Sequence, residues 1–117
     1  MRRRDFEQLV DEALAGLPDW ALARIDNLRV VVEERPTAEQ DPDGGGLLGL
    51  YEGIALPERG LDYVDVMPDT VYIFRQPHLD LGLPEDALRE EIRRTVMHEI
   101  AHYFGLDDDH LDELGWG

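Results

Sequence analysis

Residues 84–105 read Pro84-Glu85-Asp86-Ala87-Leu88-Arg89-Glu90-Glu91-Ile92-Arg93-Arg94-Thr95-Val96-Met97-His98-Glu99-Ile100-Ala101-His102-Tyr103-Phe104-Gly105, and this stretch decides the fold. Leu88, Ile92, Val96, Met97, Ile100, Tyr103 and Phe104 recur at helical spacing and cover one broad apolar arc. Pro84 suits the first turn, Glu85 and Asp86 sit over the positive end of the helix dipole, and Gly105 supplies the stop. The spacing therefore predicts a helix to about Phe104. Near its end lies His98-Glu99-Ile100-Ala101-His102. Side chains four apart project from a helix within about 40° of each other, one turn further along. His98 and His102 can then hold one metal ion through their ring nitrogens, at the boundary between core and cleft. Glu99 points about 100° round from His98, where it can take a proton from a water attacking a carbonyl and return it to the leaving amine. The competing reading is a pair of solvated histidines favoured by the helix C-terminus; the fit of the motif to the helix argues against it.

A third candidate ligand lies just beyond the helix. Gly105 can adopt the left-handed conformation that turns the chain back. Asp108 is then placed to complete the site with a carboxylate, leaving a position for water; its alternative role is the N-cap of the next segment. His110 can replace Asp108 as ligand, donate to an oxyanion, or simply lie exposed. His78 stands after Pro77 in an expected loop and has no evident role.

Outward from the motif, Phe6, Leu9, Val10, Ala13, Leu14 and Leu17 predict an amphipathic helix from Arg4 to Leu17, closed by Gly16 and Pro18. A second short helix is expected over Pro18 to Ile25. The β-branched run Val30-Val31-Val32 marks a strand within Asn27 to Arg35, and Pro36 to Gly46 reads as a loop. Leu47 to Glu52 is a weaker strand, Pro57 to Asp69 looks irregular, and Thr70 to Arg75 alternates in the β manner. Pro77 to Leu83 is expected as a loop, and Asp109 to Leu114 as a last short helix. The order of helices, strands and helices implies an α+β fold, with helices packed on a small sheet.

The chain has 117 residues, a length that fits one domain over residues 1–117. It lacks cysteine, so disulfides and thiolate metal sites are excluded. A metal must take nitrogen and oxygen ligands, which suits zinc in a catalytic site. With 27 acids against 11 bases, the net charge of −16 disfavours nucleic acid and anionic membrane surfaces. It serves solubility or, alternatively, a preference for basic substrates or partners. No stretch resembles a signal-peptide core or a membrane span, so a cytoplasmic location is expected.

The pattern His98-Glu99-x-x-His102-x-x-Gly105-x-x-Asp108 resembles the extended zincin motif, and the chain is similar to the minimal zincin family of small bacterial proteins. The resemblance is also carried by residues 49–53, by Leu56-Pro57-Glu58-Arg59, by residues 68–75 and by residues 111–116, and covers roughly Asp5 to Trp116. It implies a minimal zincin-like α+β fold, a small mixed sheet packed against helices that include the active-site helix. It also implies Zn2+ bound by His98, His102 and Asp108. An edge strand would align an extended peptide beside the metal, and Thr70 to Arg75 or Leu47 to Glu52 can serve. Two departures stand out. No methionine follows His110, and only a short segment follows Asp108, so the far wall of a cleft is missing or comes from a partner protein.

The primary expectation is a zinc metallopeptidase-like hydrolase acting on a peptide or protein substrate, with Glu99 as general base. The alternative is a catalytically weak or inactive zincin-fold module that binds metal and a partner protein. Metal storage or sensing is a third reading, disfavoured by a lone site.

Overall fold

The first helix, α1 (Arg3–Ala15), forms where the apolar spacing predicts it and buries Phe6, Leu9, Val10 and Ala13. Gly16 closes it through bonds from its backbone N–H to the Glu12 and Ala13 carbonyls. Pro18 precedes α2 (Asp19–Arg24), where its missing N–H costs nothing. These elements belong to a computed structural model that describes residues 1–59 and 68–106. The expected terminal helix, Asp109 to Leu114, lies outside the described residues.

Three strands form one mixed sheet in the order β1-β3-β2: β1 (Leu28–Glu33), β2 (Gly49–Glu52) and β3 (Asp69–Phe74). β1 runs parallel to β3, with Val30 opposite Val71 and Val32 opposite Ile73. β2 runs antiparallel to β3, with Gly49 opposite Ile73 and Tyr51 opposite Val71. The central place of β3 suits its sequence: Val71, Ile73 and Phe74 have no exposed surface, as a strand paired on both sides requires. A short 3-10 turn, Leu56–Glu58, comes after β2 within a region expected to be irregular.

One expected loop is helical. Residues 75–80 form α3 (Arg75–Asp80), so Arg75 ends the strand reading early and Pro77 to Leu83 is not a continuous loop. Pro77 is the third residue of α3, where a helix has no intrahelical partner for the N–H and proline is tolerated. Gly82, at φ +67°, turns the chain out of it.

The long helix, α4 (Glu85–Tyr103), packs against β2, β3, α1 and α3. Its predicted apolar arc is largely the core: Leu88, Ile92, Val96, Met97, Ile100 and Tyr103 are buried, most of them in one cluster with Phe6, Val10, Val71 and Ile73. The result is the expected α+β, zincin-like arrangement, with the motif helix laid along a small mixed sheet. No helix among the described residues is long and apolar enough to cross a membrane.

Candidate metal centre

The motif occupies the last turns of α4, beside the edge strand β2. Rigid helical geometry brings the rings of His98 and His102 to 4.5 Å between centroids, at 70° to one another. Both are half-buried, whereas Glu99 is only 7% exposed. Sequence spacing places Glu99 well off the histidine face, but its carboxylate reaches back: Oε1 lies 3.3 Å from Nδ1 of His102. One donor atom from each of His98, Glu99 and His102 falls within 4.8 Å of the others.

The chemistry of this donor set fits a divalent metal ion. Two imidazoles and a carboxylate, with no thiolate in the chain, suit zinc among the common ions. A carboxylate only accepts hydrogen bonds, so Nδ1 of His102 donates to Glu99. That fixes the tautomer with its lone pair on Nε2, the form a ligand histidine needs. Asp108 and His110, the other candidate ligands, lie outside the described residues.

The strand next to the motif comes unusually close. A Cβ on Gly49 would stand 2.7 Å from Cγ2 of Thr95 and 3.1 Å from Cγ of Glu99. Glycine is thus what lets β2 approach the helix face that carries Glu99. Of the two segments expected to align a substrate, Thr70 to Arg75 is ruled out as the edge, because β3 is paired on both sides. Among the described residues β1 and β2 are the two edges of the sheet, each paired to β3 alone, and β2 is the edge that packs beside the motif helix.

Two pockets flank the motif. One, of about 290 Å³, is lined by Leu47, Leu48, Glu91, Arg94, His98 and Glu99 among others. The other, of about 390 Å³, lies at the far end of β2 and is lined by Tyr51, Ala55, Glu58, His102 and Leu106. The Gly105 turn, at φ +78°, presses on the 3-10 turn so closely that a Cβ there would meet Pro57 Cγ at 2.7 Å.

Support behind the motif comes from residues that the sequence did not mark. His78 of α3 has no exposed surface, and its ring sits edge-on to Phe6. Its Nδ1 donates to the Phe74 carbonyl at 2.7 Å, and its Nε2 lies 2.9 Å from the Thr95 hydroxyl. Burial holds this imidazole below its ordinary pKa, against the smaller opposing effects of the Phe74 carbonyl and the Glu91 carboxylate. In the neutral ring Nε2 can only accept, so it shares the single Thr95 hydroxyl proton with the Glu91 carbonyl, which lies 3.0 Å from the same oxygen. Thr95 in turn forms part of the wall that holds His98 and Glu99.

At the other end of β2, Asp69 accepts hydrogen bonds from Tyr51 and, at 2.8 Å, from Nη2 of Arg59. Both members of the Arg59–Asp69 pair are buried, with side chains 8% and 5% exposed. Burial, then the Asp69 carboxylate, pushes the Tyr51 hydroxyl well above its ordinary pKa, so it stays a protonated donor. Arg59 also binds the Ile54 carbonyl and stacks over Tyr103, tying the end of the edge strand to α4.

A search of curated proteins finds no match to the chain. A family model described as zincin-like metallopeptidase matches residues 25–116, a span that takes in the sheet, the edge strand and the whole motif. With the motif helix, the mixed sheet and this match in agreement, the chain belongs to the zincin-like metallopeptidase family.

Proposed function

We propose that the protein is a zinc-dependent peptidase-like hydrolase. The observation that carries this reading is the convergence of His98, Glu99 and His102 within 4.8 Å, on one helix of a zincin-like chain. In this reading His98 and His102 hold the metal and Asp108 supplies a third ligand from beyond the Gly105 turn. When bound, zinc acts as a Lewis acid that makes water nucleophilic near neutral pH and polarises the scissile carbonyl.

The chain's own residues do the remainder. Glu99 accepts the proton of the attacking water at its carboxylate and delivers it to the leaving nitrogen. Its near-complete burial against Gly49 restricts its rotamers, so the proton acceptor is held where it is needed. β2 offers its outer backbone groups to an extended peptide lying beside the motif. Nδ1 of His102, bonded to Glu99, keeps the ring oriented.

The test is hydrolysis of a peptide library by zinc-loaded protein, run beside the Glu99→Ala variant. Turnover by the wild type that falls at least about a hundredfold in the variant supports the reading. Equal rates in the two proteins remove it and leave the metal-binding interaction module. Elemental analysis of protein purified without chelator, with about one zinc per chain expected, tests the metal assignment separately.

A further inference from the structure

The two pockets beside the motif differ in shape but share one feature. Each is lined by a single glutamate apart from the motif's own Glu99: Glu91 in the first and Glu58 in the second. Among the described residues, neither carboxylate has a salt bridge. Glu52, exposed at the end of the edge strand between them, has none either. Acids elsewhere on the surface are often matched: Glu7, Glu12, Glu34, Glu90 and Asp80 each meet an arginine.

Arg94 is the one arginine lining either pocket among the described residues. Its Nε stands 4.0 Å from Glu90, on the neighbouring side of α4, and its side chain is largely exposed. His78, whose protonation Glu91 favours, is kept neutral by burial and supplies no counter-charge. Glu91, which shares its pocket with Arg94, and Glu58 thus line the cleft without an ion-pair partner among the described residues, in a chain of net charge −16. Glu91 is half-buried at the rim of one pocket and Glu58 is exposed at the rim of the other, and both add to the negative field of the whole chain there.

We infer that the cleft selects peptides carrying lysine or arginine on both sides of the segment that lies against the motif, with Glu91 reading one basic side chain and Glu58 the other. This rests on the proposed use of the motif cleft for a peptide. The long apolar stem of such a side chain suits Leu47 and Leu48 in one pocket and Ala55 and Leu106 in the other, while its charged head meets the glutamate.

The experiment measures binding rather than turnover, so that it does not depend on hydrolysis. Fluorescein-labelled peptides of one alanine-based sequence, carrying Lys, Ser or Glu at the two flanking positions, are titrated by anisotropy against zinc-loaded Glu99→Gln protein. The same titrations are run with Glu91→Gln, Glu58→Gln, and a control bearing Glu33→Gln and Glu39→Gln, two acids outside both pockets, each added to that background. The expected order is Lys over Ser over Glu. Each cleft substitution should cost the Lys peptide about fivefold in affinity, while the control changes it less than about twofold.

Equal affinities across the peptides, no binding of any peptide, or a preference that survives both cleft substitutions overturns the inference. A preference lost equally in the control also overturns it, since it would then belong to net charge alone. Selective binding without hydrolysis by the wild type would leave this inference standing and defeat the hydrolase reading instead.

Discussion

His78 and Thr95 are joined by a 2.9 Å hydrogen bond between Nε2 and the hydroxyl, linking α3 to the turn of α4 that precedes His98. Both residues are buried, so the contact cannot be exchanged for water. Thr95→Val keeps the side-chain shape but removes the hydroxyl that meets both Nε2 and the Glu91 carbonyl. It should destabilise the protein by about 1–3 kcal/mol in urea unfolding with an unchanged slope. A midpoint equal to that of the wild type would show that the bond contributes nothing.

The same histidine sets a pH dependence. Because burial lowers its pKa in the folded state, the unfolded chain takes up a proton first as pH falls. The stabilisation is complete above the ordinary value of 6.5 and is lost as pH falls from there through the folded value. Unfolding midpoints measured between about pH 7.5 and 5.5 should therefore fall more steeply for the wild type than for His78→Gln. Parallel lines for the two proteins would assign the dependence to other groups.

Gly49 sets the gap between the edge strand and the motif. Gly49→Ala would put a methyl against Thr95, Glu99 and the Tyr72 carbonyl, the last a backbone atom that cannot turn aside. Destabilisation of about 1–3 kcal/mol is expected, together with weaker zinc binding. Gly45→Ala, with no neighbour closer than 4.0 Å, serves as the control and should be close to neutral. Similar zinc affinities in both variants would separate the strand from the metal centre.

The buried Arg59–Asp69 pair should be sensitive to removal of one member. Asp69→Ala leaves the guanidinium buried without its carboxylate and takes the acceptor from Tyr51. A loss of about 3–5 kcal/mol is expected from denaturant unfolding. A loss under about 1 kcal/mol would mean that the pair behaves as a surface ion pair does.

Metal binding should appear in the melting temperature. A ligand present at about a thousand times its Kd stabilises the folded state by about 4 kcal/mol. Zinc should thus raise the wild-type midpoint by several degrees, chelator should reverse the rise, and His102→Ala should abolish it while leaving the zinc-free midpoint nearly unchanged. A full zinc shift in the variant would move the site away from His102.

The parts of this architecture written in local pattern were legible in the sequence. The 3.6-residue spacing of Leu88, Ile92, Val96 and Ile100 fixed α4 and its buried side, and that helix brings His98 and His102 together. Strand order was not legible, since nothing in Thr70 to Phe74 or Gly49 to Glu52 states which is central until long-range pairing is known. α3 was missed because Pro77 read as a break, although a proline in a first turn is harmless. The role of His78 was hidden because its partner, Thr95, is distant in sequence. The nearness of Glu99 to His102 was missed because an angular projection ignores side-chain length.

The edge strand spans only Gly49–Glu52. At roughly 3.4 Å per residue its length is about 14 Å, and only alternate residues turn their backbone groups outward. A bound chain can therefore register along no more than a few consecutive residues before the rail runs out. A frayed terminus or a slack loop meets that condition, whereas a strand still locked inside its own folded domain must first come loose. On the proposed use of β2, a docking chain would be filtered by how readily a short stretch of it straightens, before any side chain is inspected.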